Sequence, residues 1–171
     1  MTKLRVATAA FGMMMITSVA ALGFEPMAAT VRIANDGLYD YVNIGENPKA
    51  TDGYDNAYDT ISPGNLNAEM GQPFISATIV HPEYKAALRE LRGDIRSPAK
   101  KQQWQITVSS SLAKGTPLTV ALLSEPGGLP RGLKLTLRDK KKEIDLRTGS
   151  YTLPAPGAGT AANLFIIAEQ P

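Results

Sequence analysis

Gln103-Trp104-Gln105-Ile106-Thr107-Val108-Ser109 alternates polar and apolar side chains with a period of two. Successive side chains of a β-strand point to opposite faces. The stretch therefore predicts a strand with Trp104, Ile106 and Val108 on the core face and Gln103, Gln105 and Thr107 outside. The same alternation returns at Leu118, Val120 and Leu122, at Leu133, Leu135 and Leu137, and at Ile144 and Leu146. Residues 163–169 are more uniformly apolar and predict a more buried strand with Phe165 and Ile167 inward. Gly, Pro, Asp and Lys clusters at 114–117, 126–130, 139–142 and 154–159 separate these runs. Short strands at regular spacing between such turns predict an all-β fold, a two-sheet antiparallel β-sandwich.

The first half is less regular. Residues 31–34, 39–44 and 73–81 predict strands, and residues 47–71, rich in Asn, Asp, Gly and Pro, predict a long acidic loop. Residues 84–91, with Pro82 before them and Gly93 after, hold the one expected short helix. No internal repeat and no long linker divides the chain.

The N-terminus predicts export. Met1-Thr2-Lys3-Leu4-Arg5 is basic, residues 6–23 carry no charge, and the stretch ends in small residues through Gly23. These are the three regions of a cleaved signal peptide. Removal of residues 1–23 would leave residues 24–171, 148 positions, as a single β-sandwich domain in the periplasm or outside the cell. No later segment is apolar enough to span a membrane, so no integral membrane segment is expected after signal removal. The chain has no cysteine, which removes disulfides, thiolate metal sites, haem attachment through C-x-x-C-H and cysteine nucleophiles.

Charge is divided along the chain. Residues 24–84 hold nine acids and two bases, a formal −7, and residues 85–171 hold 14 bases and seven acids, a formal +7. Such asymmetry suits attraction between two halves of one domain, self-association through the acidic and basic halves, or a cation near the acids.

The densest polar run is Ala50-Thr51-Asp52-Gly53-Tyr54-Asp55-Asn56-Ala57-Tyr58-Asp59. Asp52, Asp55, Asn56 and Asp59 are candidate calcium ligands, because calcium takes six to eight oxygen ligands and accepts carbonyls and water among them. Their spacing is not that of an EF-hand. The competing reading is an Asx-rich loop whose carboxylates cap backbone N–H groups. Tyr54 and Tyr58 are expected to pack this loop onto the domain or to form an exposed aromatic face, and Trp104 to anchor the core. His81, the only histidine, is expected to be structural, since no nucleophile signature accompanies it. Lys140-Lys141-Lys142 predicts a solvated hairpin tip, without the interleaved aromatics of a nucleic-acid site. Pro126-Gly127-Gly128 lacks the G-K-[ST] of a phosphate loop, so no nucleotide is expected.

Several phrases form an ordered set. They are Ile44-Gly45, Ala50-Thr51-Asp52-Gly53-Tyr54-Asp55 with Tyr58-Asp59, His81-Pro82-Glu83-Tyr84, Asp94-Ile95-Arg96 and Trp104. Leu129-Pro130, Asp145-Leu146-Arg147, Ser150-Tyr151 and Phe165 continue it. Over residues 38–169 the set resembles a β-sandwich module of immunoglobulin and fibronectin type III character, found near the C-termini of large exported bacterial proteins. The resemblance implies a surface, adhesion or assembly role and supplies no catalytic residue. The Pro-rich run usual after the acidic motif is reduced here to Ser62-Pro63-Gly64 and Gln72-Pro73. The expected sandwich is also nearly the whole mature chain, where the family appends it to something larger, and no sorting tail is read after Pro171, so a free-standing subunit is expected.

Three functions follow as expectations. The first is a non-enzymatic exported protein that binds another exported or surface protein. The second is a carbohydrate-binding module using Tyr54, Tyr58, Tyr84 and Tyr151. The third is a small secreted hydrolase, for which the sequence offers no converging constellation.

Overall fold

A computed structural model describes residues 25–123 and 129–171. The expected signal peptide and the Pro126-Gly127-Gly128 part of one expected turn lie outside the described residues.

The chain forms an all-β fold. The strands in order are β1 (Met27–Asn35), β2 (Leu38–Glu46), β3 (Thr60–Ile61), β4 (Ile75–Val80) and β5 (Glu90–Arg96). They continue as β6 (Lys101–Ser110), β7 (Pro117–Leu122), β8 (Lys134–Asp139), β9 (Lys142–Asp145), β10 (Tyr151–Pro154) and β11 (Ala161–Glu169). One four-residue helix, α1 (Leu66–Glu69), lies between β3 and β4 and buries nothing.

Hydrogen bonding does not divide these strands into two sheets. A single path runs β10-β7-β1-β2-β5-β4-β6-β11-β8-β9, with β3 paired to β5 off the path. One buried cluster nevertheless unites residues from both ends of that path, such as Leu153 of β10 and Leu137 of β8. The sheet therefore curls around one core. This corrects the expected sandwich in two respects: the sheet is continuous, and it is mixed, because β2 and β5 run parallel.

β5 makes the continuity. Its Gly93–Arg96 half pairs with Asn43–Glu46 of β2, while Glu90 and Leu91 pair with Val80 and Ile79 of β4. Because β5 lies between its neighbours along only part of their length, the N-terminal half of β2 and the start of β4 lack a shared strand. Asp40 fills the gap. Its Oδ2 accepts the Ala77 N–H at 2.8 Å and its Oδ1 accepts from Arg92, which also donates to the Tyr41 carbonyl at 2.5 Å. A buried backbone donor left unpaired costs about 1–3 kcal/mol, and the carboxylate replaces the missing ladder partner. The Asp40–Arg92 pair also joins the acidic half of the sequence to the basic half.

The expected alternation holds in the second half, where Trp104, Ile106, Val108, Leu118, Val120, Leu135 and Leu137 are fully buried. Lys140 and Lys141 form the two-residue tip between β8 and β9, with Lys140 at φ 54°. Three local expectations fail. Residues 84–91 hold only a single 3₁₀ turn at Ala86–Leu88, and Glu90 and Leu91 belong to β5. Leu91 is fully buried between β3 and β4, and that packing overrides local helix preference. The long acidic loop contains β3 and α1. On β11, Leu164, Ile166 and Ala168 enter the core cluster, so the parity is opposite to that expected. Ile167 is also buried, whereas Phe165 is half-buried and carries the Arg138 guanidinium 5.1 Å above its ring. A uniformly apolar run carries no alternation from which to read parity.

Gly45 marks the tightest contact in this frame. A Cβ there would stand 2.6 Å from the Met27 carbonyl oxygen and 2.8 Å from Ile95 Cδ1. Gly53 has nothing within 4 Å of the same position. Gly45→Ala should therefore lower the free energy of unfolding by about 1–3 kcal/mol through overpacking, and Gly53→Ala should change it by less than about 0.5 kcal/mol. Urea unfolding of both variants checks this.

Candidate functional site

Five of the motif phrases, 44–45, 50–59, 81–84, 94–96 and Trp104, meet at the C-terminal half of β5. Asp94, whose side chain is 4% exposed, is the centre. Its partner across β2 is Ile44, on the core side of the sheet. A carboxylate there needs compensation, since a buried charge without partners is strongly unfavourable. His81, just beyond β4, places Nε2 2.8 Å from Asp94 Oδ2. Arg96, two residues along β5, donates from Nη2 at 2.7 Å and from Nε at 3.0 Å to the same oxygen. The indole Nε1 of Trp104 donates to the Asp94 carbonyl at 3.2 Å, and the Arg96 guanidinium lies 5.3 Å over the indole ring.

His81 is engaged on every side. Nδ1 lies 2.8 Å from Glu83 Oε1, and the Tyr84 ring stacks on the imidazole at 4.3 Å with 4° between planes. Burial pulls the His81 pKa down, but hydrogen bonds to Asp94 and Glu83 together with the Asp94 charge outweigh it and leave the value above 6.5. Burial likewise pushes the Asp94 carboxyl up, and His81 and Arg96 outweigh that and hold it below 3.8. The hydrogen bond to His81 holds Glu83 low as well. With Nδ1 facing Glu83 and Nε2 facing Asp94, both ring nitrogens of His81 are committed within the network.

The acidic loop docks on the same edge. Asp59 Oδ1 accepts the Ile95 N–H at 3.0 Å and Oδ2 accepts the Asp55 N–H at 2.7 Å. Burial pushes the Asp59 carboxyl above its ordinary value. Asp55 Oδ1 accepts the Ala57 N–H at 3.0 Å, and Asn56 Oδ1 accepts from the Tyr54 hydroxyl at 3.2 Å. Asp52 accepts from the Ser97 hydroxyl, and its carbonyl accepts from Tyr84 at 3.3 Å. Each candidate calcium ligand thus spends an oxygen on a local donor. Among the described residues no three His, Asp or Glu side chains gather as a group that could hold a metal ion. The geometry is that of a capped loop.

Tyr54 and Tyr84 pack against the core, Tyr58 is half-buried, and Tyr151 is buried with its hydroxyl on Asp139 Oδ2 at 2.6 Å. They form no exposed row. Sequence reasoning missed Asp94 and Arg96 as partners of His81, although their motif was visible. It also missed Asp40 and Arg92, for which no local pattern exists.

Comparison with protein-family models, with curated proteins and with solved structures finds no match to this chain. Among the described residues no helix is long and apolar enough to cross a membrane.

Three outcomes follow. Asp59→Ala, which strips two backbone donors of their acceptor, should cost about 1–3 kcal/mol. Asp55→Ala should cost more than Asp36→Ala in the exposed β1–β2 turn, by urea unfolding. Millimolar calcium separates the two readings of the loop: a rise in melting temperature lost in Asp55→Ala is expected of a metal site, and no rise is expected of a capped loop.

The pH dependence has a definite sign. His81 has a raised pKa, so its contribution is complete below the ordinary value of 6.5 and fades as pH rises through the folded value. Asp94 has a lowered pKa, so its contribution is complete above 3.8 and fades as pH falls through the folded value. The groups facing His81 are Glu83, Asp94 and Arg96. Stability measured against His81→Gln should therefore show a wild-type excess between pH 3.8 and 6.5 that shrinks above pH 6.5. A constant excess across neutral pH would contradict the assignment.

Proposed function

We propose that this chain is an exported, non-enzymatic β-protein that docks another exported or surface protein as an assembly or adhesion subunit. The observation that carries the reading is an unclosed seam in the curled sheet. β10 pairs with β7 alone, and residues 161–164 of β11 pair with β6 but not with β8. Between these edges lies a groove of about 520 Å³, with Leu153, Ala155, Ala161 and Ala162 in its walls and Asp139 and Lys140 at its side.

Backbone groups alternate along a strand, so two of residues 161–164 direct N–H and C=O away from β6. That is a pairing edge for an extended segment, the mode by which sheet edges accept partners. Pro154 withholds a donor from the β10 side, which favours pairing along β11. The resemblance to modules of large exported proteins supports the reading, because five of its phrases, scattered from Ile44 to Trp104, meet around Asp94. The basic N-terminus and uncharged stretch to Gly23 support export.

The test is co-purification from the exported fraction of the native host. The wild type should retain a partner in fixed stoichiometry. Ala161→Arg, at an exposed position in the groove wall, should lose it with an unchanged melting temperature. Equal retention by the variant, or no stoichiometric partner, would contradict the proposal.

A further inference from the structure

The outward face of β1 and β2 carries chemistry that neither the Asp94 network nor the groove uses. Inward residues of β1 are Val31 and Ile33, so Arg32 and Ala34 point outward. Across β2 their partners are Tyr41 and Tyr39. These tyrosines are 38% and 58% exposed, unlike the four tyrosines of the sequence-based sugar-binding expectation. Two positions along one strand set them about 7 Å apart on a rigid backbone.

Each ring is matched to a guanidinium. Arg32 Cζ stands 4.5 Å from the Tyr39 ring centre, and Arg92 Cζ stands 5.1 Å from that of Tyr41. The two arginines differ in one respect. Arg92 is neutralised by Asp40. Arg32 has no carboxylate within 4.0 Å among the described residues, and its Nε is buried without a hydrogen-bond partner. The neighbouring strand β7 sets Ala121 beside Arg32 and exposed Thr119 beside Ala34, and the outward positions of β1, β2, β7 and β10 include no Asp or Glu.

We propose that this face binds an acidic polysaccharide, with uronic acid units stacked on Tyr39 and Tyr41 and a uronate carboxylate held by Arg32. A guanidinium with no carboxylate partner among the described residues calls for an anion, and its planar fork matches a carboxylate in two-pronged geometry. The two exposed rings call for flat, partly apolar units at successive positions. A polymer of uronic acids offers both, because each pyranose has a C–H face and a carboxylate. An acidic peptide offers the charge without the rings. The site is separate from the groove and does not depend on the protein-docking reading.

The test uses isothermal titration of the purified protein with polygalacturonate and alginate, with neutral dextran and poly-glutamate as controls. At least one polyuronate should bind at least tenfold more tightly than either control. Tyr39→Ala and Arg32→Gln should each weaken that binding at least tenfold with the melting temperature retained. Arg32→Lys, which keeps the charge and loses the planar fork, should not restore it. Should Arg32→Gln unfold, exposed Tyr39→Ala carries the test. No binding of either polyuronate, equal binding of poly-glutamate, or unchanged affinity in Tyr39→Ala would overturn the proposal.

Discussion

A single buried carboxylate sets the terms for this fold. Asp94 sits on the core side of β5, the strand that pairs with β2 along one half and with β4 along the other. If that carboxylate were unpaired, β5 would carry a buried charge into the hinge of the sheet. His81 arrives from β4, Arg96 from β5 itself and Trp104 from β6. Three successive strands of the path are thus tied at one residue. The strands on either side can curl around one core because the strand between them is held in place.

The acidic loop depends on the same point. Asp59 grips the Ile95 N–H, one residue from Asp94, and Tyr84 links the His81 stack to the Asp52 carbonyl. Loop, histidine turn and β5 therefore form one cooperative polar unit. A fully satisfied network of this kind specifies one arrangement, because any shift leaves a charged group without its partner. The function proposed here uses the surfaces that this unit leaves free. They are the unpaired seam beside β11 and the outward Arg32–Tyr39–Tyr41 face.

Much of the fold was legible where physics is local. Trp104, Ile106 and Val108 alternate with polar residues and are buried as the alternation requires. Phe165 was misread because the neighbouring Ile166 and Ile167 erase the alternation. β5 was illegible as a strand because its pattern, Glu-Leu-Arg-Gly-Asp-Ile-Arg, places arginines and an aspartate where a core strand would carry apolar residues. Its partners on β2 and β3 lie 30 to 50 positions away, as with Ile61–Leu91 and Asn43–Gly93. The site was half legible. Its motifs could be quoted in order, but the convergence on Asp94 follows from topology, and the tyrosines that matter at the surface lie on an ordinary-looking hairpin.

The most direct measurement is a double-mutant cycle between His81 and Asp94, read by urea unfolding at pH 5.5, between the ordinary values of the two groups. His81→Gln, Asp94→Asn and the double variant supply the cycle. If the pair is the lock, the single losses will not add, and the coupling energy will fall in the range of about 0.5–3 kcal/mol found for residues in one network. Additive losses within about 0.5 kcal/mol would contradict the account, leaving β5 to be held by its backbone pairing and its apolar contacts alone.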